Sequence, residues 1–172
     1  YVIGTMNTAD RSVEALDTAL RRRFSFVEMP PKPDLIKTVG KATDGVINDI
    51  DLADLLKIIN KRIEKLVDKD HMIGHSYFLN INGLVGLKKA FNNKILPLLQ
   101  EYFYGDFGKI GLVLGKGFFE DNQNELEEDI FAQYDEYESS SLIERKVYRI
   151  KDVVKMSDEE FTLAINLLLG KQ

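Results

Sequence analysis

The chain opens on an apolar run, Tyr1 to Met6, which gives way at Asn7-Thr8 to a polar turn. A run without polar alternation predicts a strand buried on both faces, as in a central parallel sheet. Such a strand needs neighbours on its edges, so its partner strands are expected upstream, in a longer protein. Ser12 is a suitable N-cap for a helix from about Val13 to Arg22, with Ala15, Leu16, Ala19 and Leu20 as its apolar stripe. Phe24-Ser25-Phe26-Val27 alternates like a second strand. Strand, helix and strand make half of an α/β unit. Pro30, Pro31 and Pro33 then end regular structure, and the boundary of a first piece, residues 1–30, falls there.

Past the prolines the period becomes helical. Asp34 can cap a helix through about Lys41. Asp51 can cap a longer one, with Leu52, Leu55, Leu56, Ile59, Ile63 and Leu66 at three- and four-residue spacing. A third helix is predicted from Leu84 towards Tyr102, kinked or broken at Pro97. Ser157-Asp158-Glu159-Glu160 is a capping box that starts a final helix ending at Gly170. Ile110 to Phe119 and Lys146 to Val154 look like short strands. The fold class expected is therefore α+β but mainly helical: an α/β piece over 1–30, a helical domain over 31–115, and an extension over 116–172 that ends in a helix.

Composition narrows the functions open to this chain. Cysteine is absent, which excludes disulfides and thiolate metal sites and fits a cytoplasmic protein. No apolar run approaches the roughly 18 residues of a membrane span, so no membrane association is expected. The formal net charge of −5 argues against direct grip on nucleic-acid phosphates. Acidity is also localised: from Glu120 through Glu144 every charged side chain is acidic. That stretch reads either as a solvated surface or as a docking face for a basic partner.

Met6-Asn7-Thr8-Ala9-Asp10-Arg11-Ser12 sets an amide, a hydroxyl, a carboxylate and a guanidinium directly after the first strand, where open α/β sheets bind ligands. An Asn there can hydrogen-bond a phosphate oxygen and an attacking water; the plain alternative is a polar turn with an N-cap. His71 and His75 stand four apart, a spacing that could suit a metal, but Gly74 weakens a helix between them and no third ligand is evident, so no metal site is expected. His75-Ser76-Tyr77-Phe78 can serve local packing or face a ligand. No Gly-x-x-x-x-Gly-Lys-Ser/Thr loop occurs near Gly83–Gly86 or Gly111–Gly117.

Four patches in order carry a family resemblance: Met6 to Ser12, Ala19-Leu20-Arg21-Arg22-Arg23-Phe24, Ile73-Gly74-His75-Ser76-Tyr77-Phe78 and Leu96-Pro97-Leu98-Leu99-Gln100-Glu101-Tyr102-Phe103. Together they resemble McrB, the GTP-hydrolysing subunit of a modified-cytosine restriction system within the AAA+ superfamily. The resemblance runs from Tyr1 to about Gly115 and implies the C-terminal piece of an AAA+ core followed by its helical lid. It places Asn7 and Asp10 beside the γ-phosphate and hydrolytic water, and Thr8, Arg11, His75 and Ser76 near the nucleotide. It also implies an arginine finger that completes a neighbour's site. Successive helical residues lie about 100° apart, so Arg21, Arg22 and Arg23 cannot share one target; Arg22 is preferred, then Arg21. The cofactor implied is GTP or ATP with Mg²⁺ in the longer protein, with none held tightly by this chain, which lacks the phosphate-binding loop and is expected to be silent alone. The partners implied are copies of the subunit in a hexameric ring, a nuclease of McrC type, and DNA through a separate N-terminal domain. A hinge is expected near Met29 to Pro33. The alternatives are a MoxR-like remodelling ATPase and a non-catalytic helical docking module.

Overall fold

The computed structural model describes residues 2–6, 22–120, 131–132, 142 and 146–171. After the prolines the chain forms α1 (Leu35–Val39), a two-residue hairpin of β1 (Val46–Ile47) and β2 (Ile50–Asp51), and α2 (Leu52–Leu66). The hairpin is antiparallel, Val46 opposite Asp51, and Asn48 and Asp49 both take positive φ at its turn. That conformation favours Asn and Asp and matches the natural twist of the ribbon. Asp51 then caps α2 as the sequence predicts, its carboxylate accepting from the amides of Ala53 and Asp54 at 2.9 and 3.0 Å. Leu52, Leu55, Leu56, Ile59 and Ile63 are all fully buried, so α2 is the central helix of the core.

The short α3 (Ser76–Leu79) follows, then α4 (Gly83–Ala90), a π-helical turn at Phe91–Ile95, and α5 (Leu96–Tyr102). The break expected at Pro97 thus lies one turn upstream. Pro97 has no N–H to give to the preceding turn, and just before it the helix widens, with the Leu96 amide reaching back to the Phe91 carbonyl.

The strand expected over Ile110 to Phe119 is instead α6 (Phe107–Leu114) and a 3₁₀ turn at Lys116–Phe118. A short apolar run is ambiguous between buried strand and buried helix. Here Asp106 decides, accepting from the Lys109 amide at 3.1 Å and starting a helix that buries Ile110, Val113 and Leu114. Of the strand expected over Lys146 to Val154, a single bridge forms, Phe119 with Ile150. The final helix, α7 (Asp158–Leu169), starts at the Ser157 cap, whose hydroxyl accepts from Glu160 at 3.0 Å, and stops at a left-handed Gly170.

The described residues 116–120 and 146–170 pack into the same core as the helices before them. Phe91, Phe118 and Phe161 meet in one aromatic cluster, and a single core runs from Ile36 to Leu168. Arg62 on α2 donates to the carbonyls of Val113 and Leu168 at 2.6 and 2.7 Å, so one guanidinium satisfies the C-terminal ends of α6 and α7. The buried Lys88 on α4 donates to the Met156 carbonyl and the Asp158 carboxylate at 2.6 and 2.7 Å. Asn92, within the π turn, accepts from the Val153 amide at 3.1 Å.

The strands expected over Tyr1–Met6 and Phe24–Val27 do not form. Residues 2–6 and 24–27 carry no strand pairing among the described residues and are exposed, Ile3 at 95% and Val27 at 83%. An apolar segment forms a strand only when another strand lies beside it, and among the described residues none does. The helix expected over Val13 to Arg22 lies outside the described residues apart from Arg22, which stands in an exposed turn.

Candidate functional site

The site is built outward from the end of α2. Asn60 sits on the buried face of that helix, between Ile59 and Ile63. Its amide grips the Ile73 backbone on both sides, accepting from the N–H at 2.7 Å and donating to the carbonyl at 2.9 Å. A buried side-chain amide satisfied by the N–H and C=O of one residue fixes that residue in place, since losing the pair would strand both groups in the core.

One turn beyond α2, Asp68 braces the same loop from the other end. Its carboxylate accepts from the amides of Asp70 and His71 at 2.9 and 3.1 Å, and it meets His71 Nδ1 at 2.6 Å. The His71 ring is buried edge-on against Tyr102, with centroids 4.8 Å apart. The His71 hydrogen bond is the main reason the Asp68 carboxyl titrates below the usual carboxylate range, and burial holds the Tyr102 phenol above its ordinary value. A depressed carboxylate stabilises the fold fully above its unfolded value near 3.8 and loses that contribution as pH falls through its lower folded value. In Asp68→Asn the acid side of the pH–stability curve is accordingly expected to be flatter below about pH 4; urea titrations at a series of pH values measure it, and an unchanged slope contradicts the assignment.

With Ile73 clamped and His71 seated, the loop delivers His75 and Ser76 to the surface. His75 Nδ1 accepts from the Lys32 backbone N–H at 3.1 Å, tying the loop to the proline segment 43 positions earlier. Ser76 is exposed at the start of α3, which Phe78 anchors in the core. Ser76 and Tyr77 line an open groove of ≈ 470 Å³ with Asn93, Lys94, Pro97, Leu98 and Glu101. The π turn turns Asn93 and Lys94 towards it, giving the groove amide, hydroxyl, ammonium and carboxylate groups over an apolar floor of Pro97 and Leu98.

Of the residues singled out in the sequence, the structure brings His75 and Ser76 together beside this groove. Arg22 is exposed, and Asn7, Thr8, Asp10, Arg11 and Arg21 lie outside the described residues. The histidines four apart do not share a target: His71 turns inward to Asp68 and His75 faces Lys32. Sequence reasoning passed over Asn60, Asp68, Asn93, Lys94 and Glu101. Asn60 had a signal, a polar amide on an otherwise apolar helix face, and Glu101 lay within the Leu96–Phe103 patch; Asn93 and Lys94 had none, because the π turn that carries them is not written in a hydrophobic period.

Residues 51–111 match the family described as McrB, alpha-helical lid domain. The chain is 36% identical over 120 residues to the type IV methyl-directed restriction enzyme EcoKMcrB subunit of Escherichia coli (strain K12), an alignment covering 62% of this chain and 26% of that protein. It is 34% identical over 110 residues to the type II restriction enzyme BsuMI component YdiS of Bacillus subtilis (strain 168), covering 59% of this chain and 30% of that one. The matches thus span between a quarter and a third of the length of these relatives.

Proposed function

From an McrB-type lid domain over residues 51–111, we propose that this chain is the lid-bearing part of a longer subunit that hydrolyses GTP, or ATP, in a DNA restriction complex. The observation that carries the reading is the lid match itself, joined to alignments with two relatives that are both named as parts of restriction enzymes. Those names favour the McrB reading over the MoxR-like one.

On this reading the lid closes over nucleotide bound by the core, with the His75–Ser76 loop and its groove on the nucleotide side. The donors present suit such a ligand: the Ser76 hydroxyl, the Lys94 ammonium and the free ring nitrogen of His75 can meet anionic or hydrogen-bonding edges. Bound Mg²⁺ would supply charge neutralisation at the β- and γ-phosphates, a task for core residues rather than lid residues. Asn7 and Asp10 would orient the attacking water, with Thr8 and Arg11 beside them. Arg22, or Arg21, would complete the site of the neighbouring copy in a ring. A nuclease subunit of McrC type and a separate DNA-reading domain would complete the assembly.

Turnover of GTP and ATP by the full-length protein tests this. Asn7→Ala is expected to lower kcat at least about 100-fold with the nucleotide still bound, as loss of a water-positioning group does. A full-length protein that turns over neither nucleotide would leave the docking-module reading in its place.

A further inference from the structure

Pro30, Pro31 and Pro33 carry no N–H, so Lys32 holds the one backbone donor between Met29 and Asp34. That donor is spent on His75 Nδ1 at 3.1 Å. The two ends of the segment are also fastened to the lid. Upstream, Lys69 at the turn after α2 pairs with Glu28 at 2.8 Å; downstream, Lys57 on α2 pairs with Asp34 at 2.9 Å. The carbonyls of Lys32 and Pro33 accept from Leu35 and Ile36 at 3.1 and 2.9 Å, leading directly into α1, whose Ile36 is fully buried.

Each exposed ion pair is weak by itself, because water screens it and two long side chains must be held in one geometry. Their effect here comes from the stiffness of what they hold. A proline-rich run is already an extended, semi-rigid rod, so little entropy remains to be lost when it is fixed at three points. The His75 bond is the middle point and the directional one. Accepting at Nδ1 requires that nitrogen to be unprotonated, which leaves the ring proton on Nε2.

We propose that residues 28–34 are an arm that moves with the lid as one body, pinned by His75 as a positioning residue, and that flexing between the N-terminal segment and the lid takes place upstream of Glu28. The proline run, which the sequence offers as the hinge, is then a lever. Because Ser76 of the groove adjoins His75, a change at the groove reaches the arm through a single peptide unit. This inference concerns the chain itself and stands whether or not the nucleotide reading does.

Backbone ¹⁵N relaxation and amide exchange on the chain test it, with Glu28, Met29, Lys32 and Asp34 as reporters. Their order parameters are expected to match those of α2, with the drop lying upstream of Glu28, and the Lys32 amide is expected to be protected. His75→Gln removes the acceptor from the Nδ1 position, so Lys32 exchange should rise about tenfold, the loss of one hydrogen bond, and Met29 should loosen. Lys32→Pro deletes the donor while keeping an extended backbone, and should loosen Met29 equally. His75→Asn restores an acceptor near the Nδ1 position and should return both amides towards wild type. Wild-type amides at Met29 and Lys32 that are already mobile relative to α2 would overturn the proposal. So would identical behaviour of the Gln and Asn variants.

Discussion

Arg22→Ala in the full-length protein is expected to lower GTP turnover at least about 100-fold, since a finger supplied from a neighbouring subunit is worth about 10³–10⁵ in rate. Arg22 stands exposed in the turn that leads to Phe24, and no described carboxylate lies within ion-pair distance of it. Its cation is thus uncommitted among the described residues. A cation whose only service is to the end of its own helix is worth about 0.3–1 kcal/mol, and its loss would move the melting temperature slightly and the rate hardly at all. The trans role has a sharper signature. In the proposed ring, Arg22→Ala subunits would keep the phosphate loop of the longer protein, and subunits with that loop disabled would keep Arg22. Each preparation should be nearly inactive, while their mixture should recover turnover at sites where the two kinds adjoin. Arg23→Ala is the matched control, expected to leave turnover near wild type. If Arg21→Ala removes the activity and Arg22→Ala does not, the finger is one residue earlier. If neither affects turnover, the ring-hydrolase mechanism fails.

How much of this was legible in the sequence depended on which physical signal each element carried. The Asp51 cap and the stripe from Leu52 to Ile63 gave α2 nearly to the residue, and the Ser157 capping box and Gly170 gave α7, because caps and periodicity are local. The run from Ile110 to Leu114 was misread as a strand: five small and apolar residues fit either period, and the Asp106 cap that decides between them was overlooked. The segments at 2–6 and 24–27 show the opposite case. Their residue types suit strands, but a strand is a property of a pair, and neither has a described neighbour. The candidate site was half legible. Ser76 and Glu101 lie in the motif patches, whereas Asn93 and Lys94 reach the groove from the widened turn before Pro97, which no side-chain pattern announces. The prolines offered a boundary to the reader of the sequence, but the ties between that run and the helical domain were not legible, because they join residues 23 to 43 positions apart.

Phe161→Ala is expected to destabilise the whole lid by about 3–5 kcal/mol, the cost of truncating a fully buried phenylalanine. Phe161 is completely buried, edge-on to Phe91 at 5.7 Å and to Phe118 at 6.2 Å, while those two rings stack at 5.3 Å. The Lys88 ammonium lies 5.9 Å from the Phe161 ring centre, held there by the Met156 carbonyl and Asp158. Truncation therefore opens a cavity between α4, the 3₁₀ turn and α7 and loosens a buried cation at the same time. The backbone next to this cavity cannot close over it. A Cβ added at Gly117 would meet Ala164 Cα at 2.7 Å, so the 3₁₀ turn and α7 already touch at their main chains. With total stabilities of about 5–15 kcal/mol for domains of this kind, such a loss should lower the melting temperature by roughly 6–20 °C. The informative result is which signals move together. If the 3₁₀ turn and α7 complete the lid core, amides of α2 around Ile59 and Ile63 should lose exchange protection in parallel with those of α7, in one transition. Loss of α7 alone, with α2 unmoved, would mean that the C-terminal helix is an appendage and that Arg62, which joins the ends of α6 and α7, couples nothing.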